Sequence, residues 1–240
     1  MTEPVRYKRV LLKISGESMC SPGGFGIDAS AVTALVDELT AVVREGVRIG
    51  LVIGGGNFVR GRDLADNPHI HRVTADYMGM LATVINALAL RDALDSNGVP
   101  AKVLSAVPMH QVCDPFIRRE AVRHLDEGCV VLFAAGTGSP FFTTDMCAAL
   151  RANEIAAEAL LKATKVDGVF DADPLKMPQA KKYDRLTYAQ VLNDRLGVMD
   201  LTAISMCMES HIPIVVFQLT KPGNLLKAVR GEAVGTIIAE

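Results

Sequence analysis

The chain has 240 residues, 50% of them hydrophobic and 5% aromatic, with no Trp and a formal charge of −2. That supplies a large core for one domain or two merged lobes. It disfavours a nucleic-acid binder, whose footprint is a basic excess or a platform of stacking rings.

Strand-like and helix-like segments alternate along the chain. Residues 8–14 (KRVLLKI) read as a first strand and residues 28–45 as an amphipathic helix capped by Asp28. A strand over 48–53 runs into Gly54, Gly55 and Gly56, with a helix expected to start near Asn57. Residues 74–96 form a long helix, apolar on nearly every side and therefore expected to be buried on more than one. Strands follow over 101–105, 129–134 and 159–163, with a helix from Thr144 between the last two. Residues 166–205 are turn-rich, with short helices over 188–193 and from Asp200. A strand over 214–217, a helix over 224–230 and a strand over 236–239 complete the series. The alternation predicts an α/β fold around a mainly parallel sheet.

In such sheets ligands collect at the carboxyl ends of the strands, and four ends here share one chemical character. The first is Lys13-Ile14-Ser15-Gly16, where an ammonium group can reach a transferring phosphoryl group. The second is the triple-glycine turn, whose amides can close on an anion, followed by Arg60 and Arg62 as planar phosphate donors. The third, over residues 134–145 (AAGTGSPFFTTD), offers backbone donors, four hydroxyls and Asp145. Thr144 is its expected helix cap, and Pro140, Phe141 and Phe142 form an expected hydrophobic staple. The fourth, over residues 164–174 (TKVDGVFDADP), combines Thr164 and Lys165 with an aromatic ring at Phe170 and Asp173, as an adenine pocket requires.

No P-loop, no G-x-G-x-x-G after the first strand and no protein-kinase signature is present. Five scattered cysteines have no C-x-x-C spacing, and His69 and His71 have no cysteine or carboxylate at ligand spacing, so no metal site is predicted. The first residues lack the apolar stretch of a signal peptide, and no apolar run is expected to span a membrane. A cytoplasmic, reduced protein is expected.

The strings KISGE, GFGID, VIGGGN, ADYMGMLATVINALALRDAL, GTGSPFFTTD, KATKVDGVFDADP and VMDLTA occur in order from about Tyr7 to the last residue. Together they resemble the bacterial uridylate kinases of the amino-acid kinase superfamily. The resemblance implies a three-layer α/β/α sandwich in a single domain, with an acceptor lobe over roughly 1–160 and an ATP lobe over roughly 161–240. It implies transfer of the ATP γ-phosphate to UMP, with Mg²⁺ carried by ATP, in a homohexamer with GTP and UTP as effectors. Lys13, Ile14, Ser15, Gly16, Gly56, Arg60, Thr164, Phe170 and Asp173 resemble the family's ATP contacts. Gly55, Asp76, Thr137, Gly138, Ser139, Pro140, Phe141, Phe142, Thr143 and Thr144 resemble its UMP contacts, and Lys13, Arg60, Asp145 and Lys165 its catalytic groups. Arg91 is kept, whereas Asp95 stands where a basic or histidine residue is common. Two other readings share these residues: an acyl-phosphate kinase of the same fold, and a nucleotide sensor without catalysis. Neither membrane nor nucleic acid is expected as a main partner.

Overall fold

The computed structural model describes residues 5–59, 69–174 and 176–240. Among these the strands are β1 (Arg9–Ile14), β2 (Arg48–Ile53), β3 (Ala101–Ser105), β4 (Asp114–Pro115), β5 (Val130–Ala134), β6 (Ala159–Thr164), β7 (Val169–Phe170), β8 (Lys182–Tyr183), β9 (Arg185–Thr187), β10 (Ile214–Gln218) and β11 (Thr236–Ala239). The helices are α1 (Ala29–Arg44), α2 (Arg72–Ser96), α3 (Arg118–Asp126), α4 (Thr144–Glu154), α5 (Tyr188–Asn193), α6 (Leu201–Glu209) and α7 (Asn224–Arg230), with a 3-10 turn at Gly16–Met19. Nine strands form one sheet in the order β4-β3-β5-β2-β1-β6-β10-β11-β9, and β7 pairs with β8 in a separate ribbon. Every pair in the large sheet is parallel except β10 with β11.

Alternation along the strands sorts the core into two layers. Val10, Leu12 and Ile14 of β1 pack with α1, α2 and α7, whereas Leu11 packs with α3, α4 and α6 on the other face. This is the expected three-layer α/β/α sandwich. The neighbours of β1 are reached over opposite faces: α1 leads to β2 on one, and α4 leads to β6 on the other. Such a change of side opens a crevice at the carboxyl ends of the strands.

α1 begins where predicted, with the Asp28 carboxylate accepting from the Ala31 N–H at 3.0 Å. α2 starts two residues earlier than expected, at Arg72. Met80, Val84, Ala87, Leu90 and Leu94 bury its inner side. On its outer side Val73, Tyr77, Leu81 and Ile85, four residues apart, are 41–51% exposed. By length and composition α2 could cross a membrane, with a mean hydropathy of 1.4, which the sequence reading did not anticipate. Its inner side lies on the sheet and carries the buried amide of Asn86, which makes it a core helix. α3 was not predicted, because only Ala121 and Leu125 of its nine residues are buried.

The glycine turn after β2 rests directly on α2. A Cβ at Gly55 would lie 2.7 Å from the Gly79 carbonyl oxygen and 2.8 Å from Ala82 Cβ. Helix and turn can approach this closely only without that carbon. Beyond the turn, Phe58 and Val59 both donate to the Gly55 carbonyl. The expected helix would continue into residues 60–68, which lie outside the described residues, as do Arg60 and Arg62. Gly55→Ala is expected to cost about 1–3 kcal/mol through overpacking against the helix backbone. Urea denaturation of the variant beside the parent protein checks this.

Candidate active site

Leu11-Leu12-Lys13 of β1 stands in register with Leu160-Leu161-Lys162 of β6, residue for residue. Registered residues of parallel strands point to one face, so both lysines rise on the side of α4. Two neighbouring ammonium groups repel, and Asp145 in the first turn of α4 separates them. Its Oδ1 lies 2.8 Å from Lys13 Nζ and its Oδ2 accepts from Lys162 Nζ at 2.8 Å. The three side chains are 11–15% exposed.

The two contacts differ in kind. Lys162 also donates to the Val198 carbonyl and is thus tethered at two points. Lys13 has no such second tether among the described residues; its contact is the one with Asp145 Oδ1. Burial pulls the Asp145 carboxyl upward, but Lys13 and Lys162 together outweigh it and hold the group below its ordinary value. Burial pushes the Lys162 ammonium down, Asp145 opposes that, and the nearby Lys13 charge adds to it.

α4 is capped by Thr143, whose hydroxyl oxygen accepts from the N–H groups of Asp145 at 3.1 Å and Met146 at 3.4 Å. The sequence reading gave this role to Thr144, which is instead the first helical residue. Thr143 donates its own hydroxyl hydrogen to Asp200, and the Asp200 charge also acts on Lys162.

On the β2 side of β1 a cleft of about 200 Å³ lies between the glycine turn, α2 and the loop after β5. Gly55, Asp76, Thr137, Phe142, Thr143 and Thr144, all among the residues that resemble UMP contacts, line it with Arg72, Met80, Thr83 and Gly136. Gly138, Ser139, Pro140 and Phe141 lie on the same loop without lining the cleft. Phe141 and Phe142 are 65% and 53% exposed, so the expected staple does not form. Ala135 and Phe141 adopt left-handed backbone (φ 59° and 71°), uncommon for side chains of this kind. α2 holds both: Thr83 accepts from the Ala135 N–H at 2.8 Å, and Asp76 from the Phe141 N–H at 2.8 Å. Arg72 Nε grips the same Asp76 carboxylate at 2.9 and 3.1 Å. Buried Arg151, with its guanidinium 3.6 Å from the centroid of Phe116, donates to the Gly136 carbonyl from beneath.

Ser15 and Gly16 follow β1 directly, and a Cβ at Gly16 would stand 2.8 Å from the Gly56 nitrogen. The side chain of Ile14 faces the core, leaving only its backbone for a ligand. Thr164, Phe170 and Asp173 lie along the segment leaving β6, on the other side of β1 from the cleft. Thr164 donates to the Val166 carbonyl at 2.6 Å, Phe170 is half-buried and Asp173 is exposed. Lys165 is 70% exposed and pairs with Glu17 beside Gly16. The lysine that shares Asp145 with Lys13 is thus Lys162, which the sequence reading did not single out. Its signal was the repeated Leu-Leu-Lys string at two strand ends.

The described residues do not build a resident cation site at this centre: both oxygens of Asp145 already face ammonium groups. His124, Glu127 and Cys129 cluster at the end of α3. The Arg123 guanidinium already pairs with this cluster, 2.7 Å from Glu127 and 3.2 Å from the His124 ring. Burial pushes the thiols of Cys147 and Cys207 up to about 11 and about 12, so neither is a nucleophile at neutral pH.

Residues 8–218 match the amino acid kinase family. A uridylate kinase of Methylococcus capsulatus is 54% identical over 238 residues, spanning 99% of both chains. The crystal structure of a UMP kinase from Bacillus anthracis aligns with a TM-score of 0.94 at 39% identity, over 97% of this chain and 96% of that one. One from Ureaplasma parvum aligns with a TM-score of 0.91 at 34% identity, over 98% of this chain and all of that one (100%).

The ion triad makes stability depend on pH. The folded Asp145 value lies below its ordinary 3.8, so its contribution is complete above that value and is lost as pH falls through the folded one. Asp145→Asn leaves two ammonium groups facing each other, at an expected cost of about 3 kcal/mol at neutral pH. The gap between variant and parent should narrow as pH falls below 3.8, as urea melts carried from pH 7 into that acid range would reveal.

Proposed function

The chain belongs to the amino acid kinase family, and from that premise we propose that it transfers the γ-phosphoryl group of ATP to UMP, giving ADP and UDP. One observation carries the reading. The Lys13–Asp145–Lys162 bridge stands between a cleft rich in hydroxyls and amides and, across β1, the segment with Thr164, Phe170 and Asp173. The uridylate and UMP kinases to which the chain is similar over nearly its whole length support the choice of acceptor.

The acceptor is already a phosphate, whose second pKa of about 6 leaves it mostly dianionic at neutral pH. No general base is needed; the barrier lies in bringing two polyanions together, so positioning and charge neutralisation do the work. Lys162, tethered to Asp145 and Val198, fixes the carboxylate. Lys13, without that second tether among the described residues, follows the phosphoryl group between donor and acceptor. Asp145 cancels one of the two positive charges until substrate arrives. Gly55, Asp76 and the residues Thr137 to Thr144 receive UMP. Ser15, Gly16, Gly56, Thr164, Phe170 and Asp173 receive ATP, with Lys165 at the entrance beside Glu17. Arg60 belongs to the same reading as a phosphate donor. Mg²⁺ enters on the ATP phosphates, where it screens their charge. A sensor without catalysis would have no use for two buried lysines sharing one carboxylate.

The reading extends to a cytoplasmic homohexamer under GTP and UTP control, with an acceptor lobe over roughly 1–160 and an ATP lobe over roughly 161–240. The Val73, Tyr77, Leu81 and Ile85 stripe supports assembly, since a second copy of α2 would cover it.

Two measurements test these proposals. ADP release from MgATP should require UMP, with no release when N-acetylglutamate replaces it or when no acceptor is present; Lys13→Met should lower kcat about a hundredfold or more, with UMP binding largely kept. Leu81→Asp should break the oligomer into smaller species by light scattering, and an unchanged mass would remove α2 from the interface.

A further inference from the structure

Asn57, at the end of the glycine turn, and Asn86, on the inner side of α2, face each other in the interior. They are 2% and 0% exposed. Asn57 Nδ2 donates to Asn86 Oδ1 at 2.9 Å, and Asn86 Nδ2 returns a bond to Asn57 Oδ1 at 2.7 Å. Each amide spends its second hydrogen on a backbone carbonyl. Asn57 reaches Gly26 at 2.7 Å, on the loop before α1, and Asn86 reaches Gly54 at 2.8 Å. A third loop presses on the same point: a Cβ at Gly16 would stand 2.5 Å from Asn57 Oδ1 and 2.4 Å from the Gly54 carbonyl oxygen.

Buried primary amides are costly unless fully bonded, and the neighbours Val84, Ala87 and Leu90 would pack equally well around an apolar side chain. The pair therefore suits orientation more than cohesion. A trans peptide is planar, so its C=O and the following N–H point in opposite directions. With the Gly54 carbonyl drawn inward to Asn86, the N–H of Gly55 must point outward, toward the cleft that Gly55 lines. Among the described residues nothing accepts from that N–H.

We propose that Asn86, locked by Asn57, is a positioning residue that turns the Gly55 N–H onto the phosphate of the acceptor. This rests on the kinase reading above. Asn86 never touches substrate; it acts through one peptide plane. Its removal should weaken recognition of the acceptor's phosphate while leaving recognition of its base and sugar intact.

The test compares dissociation constants of UMP and uridine, with and without the phosphate, for the parent protein and Asn86→Ala, together with kcat. In Asn86→Ala the preference for UMP over uridine should shrink about tenfold, as expected for losing a hydrogen bond to a charged group, while uridine affinity stays within about twofold. Asn86→Asp keeps the side chain's shape but puts an oxygen against the Gly54 carbonyl, and it carries the same test if the alanine variant does not fold. An unchanged preference, or equal weakening of UMP and uridine, would overturn the assignment. A parent protein that fails to turn over UMP would instead overturn the kinase reading, a result separable from the behaviour of the variants.

Discussion

A single carboxylate between two lysines on adjacent parallel strands sets the constraints for the rest of the molecule. Burial disfavours the Lys162 ammonium and the nearby Lys13 charge adds to that, and Asp145 opposes both. The arrangement requires β1 and β6 to be neighbours in one particular register, since a shift by one residue would turn Lys162 to the opposite face. It also requires α4 to start over the junction of those strands, which the Thr143 cap and its bond to Asp200 secure. Sheet order, register and helix capping thus converge on one charge.

α2 is the second organising element, and its contribution is mostly to backbone geometry. Its small residues admit the glycine turn at van der Waals distance, Asn86 ties down that turn, and Thr83 and Asp76 hold the two left-handed non-glycine residues of the loop after β5. Left-handed backbone at an aromatic residue persists only where surrounding bonds compensate for it. One helix therefore shapes both walls of the cleft, while its outer apolar stripe faces away from them.

Much of this was legible in the sequence because strands that end in glycine, hydroxyl or lysine announce both their direction and their chemistry. β2, β3, α5, α7 and β11 fall on the predicted residues, and the four loops do gather at one edge of the sheet. What escaped reading depends on pairing across distance. Lys162 sits in an ordinary apolar strand, and only the register with β1 reveals that it faces Asp145 while Lys165, three residues on, turns to Glu17. Thr143 and Thr144 are chemically equivalent as caps, and the choice between them follows from where α4 must meet the sheet. α3 went unseen because it covers the sheet with two apolar residues and otherwise faces water. Arg72 lies just before the expected helix and Asn86 reads as helix interior until the loops opposite them are in place.

The central position of β1 also shapes how the chain must assemble. Its two neighbours come from distant parts of the sequence, and β6 follows only after four strands and four helices have been made. Contacts of such long sequence separation close slowly. Until β6 arrives, β1 is an edge strand with Leu11 and Leu12 awaiting cover, the kind of edge that invites pairing with another chain. A charged residue such as Lys13 on that strand is the kind that discourages such pairing.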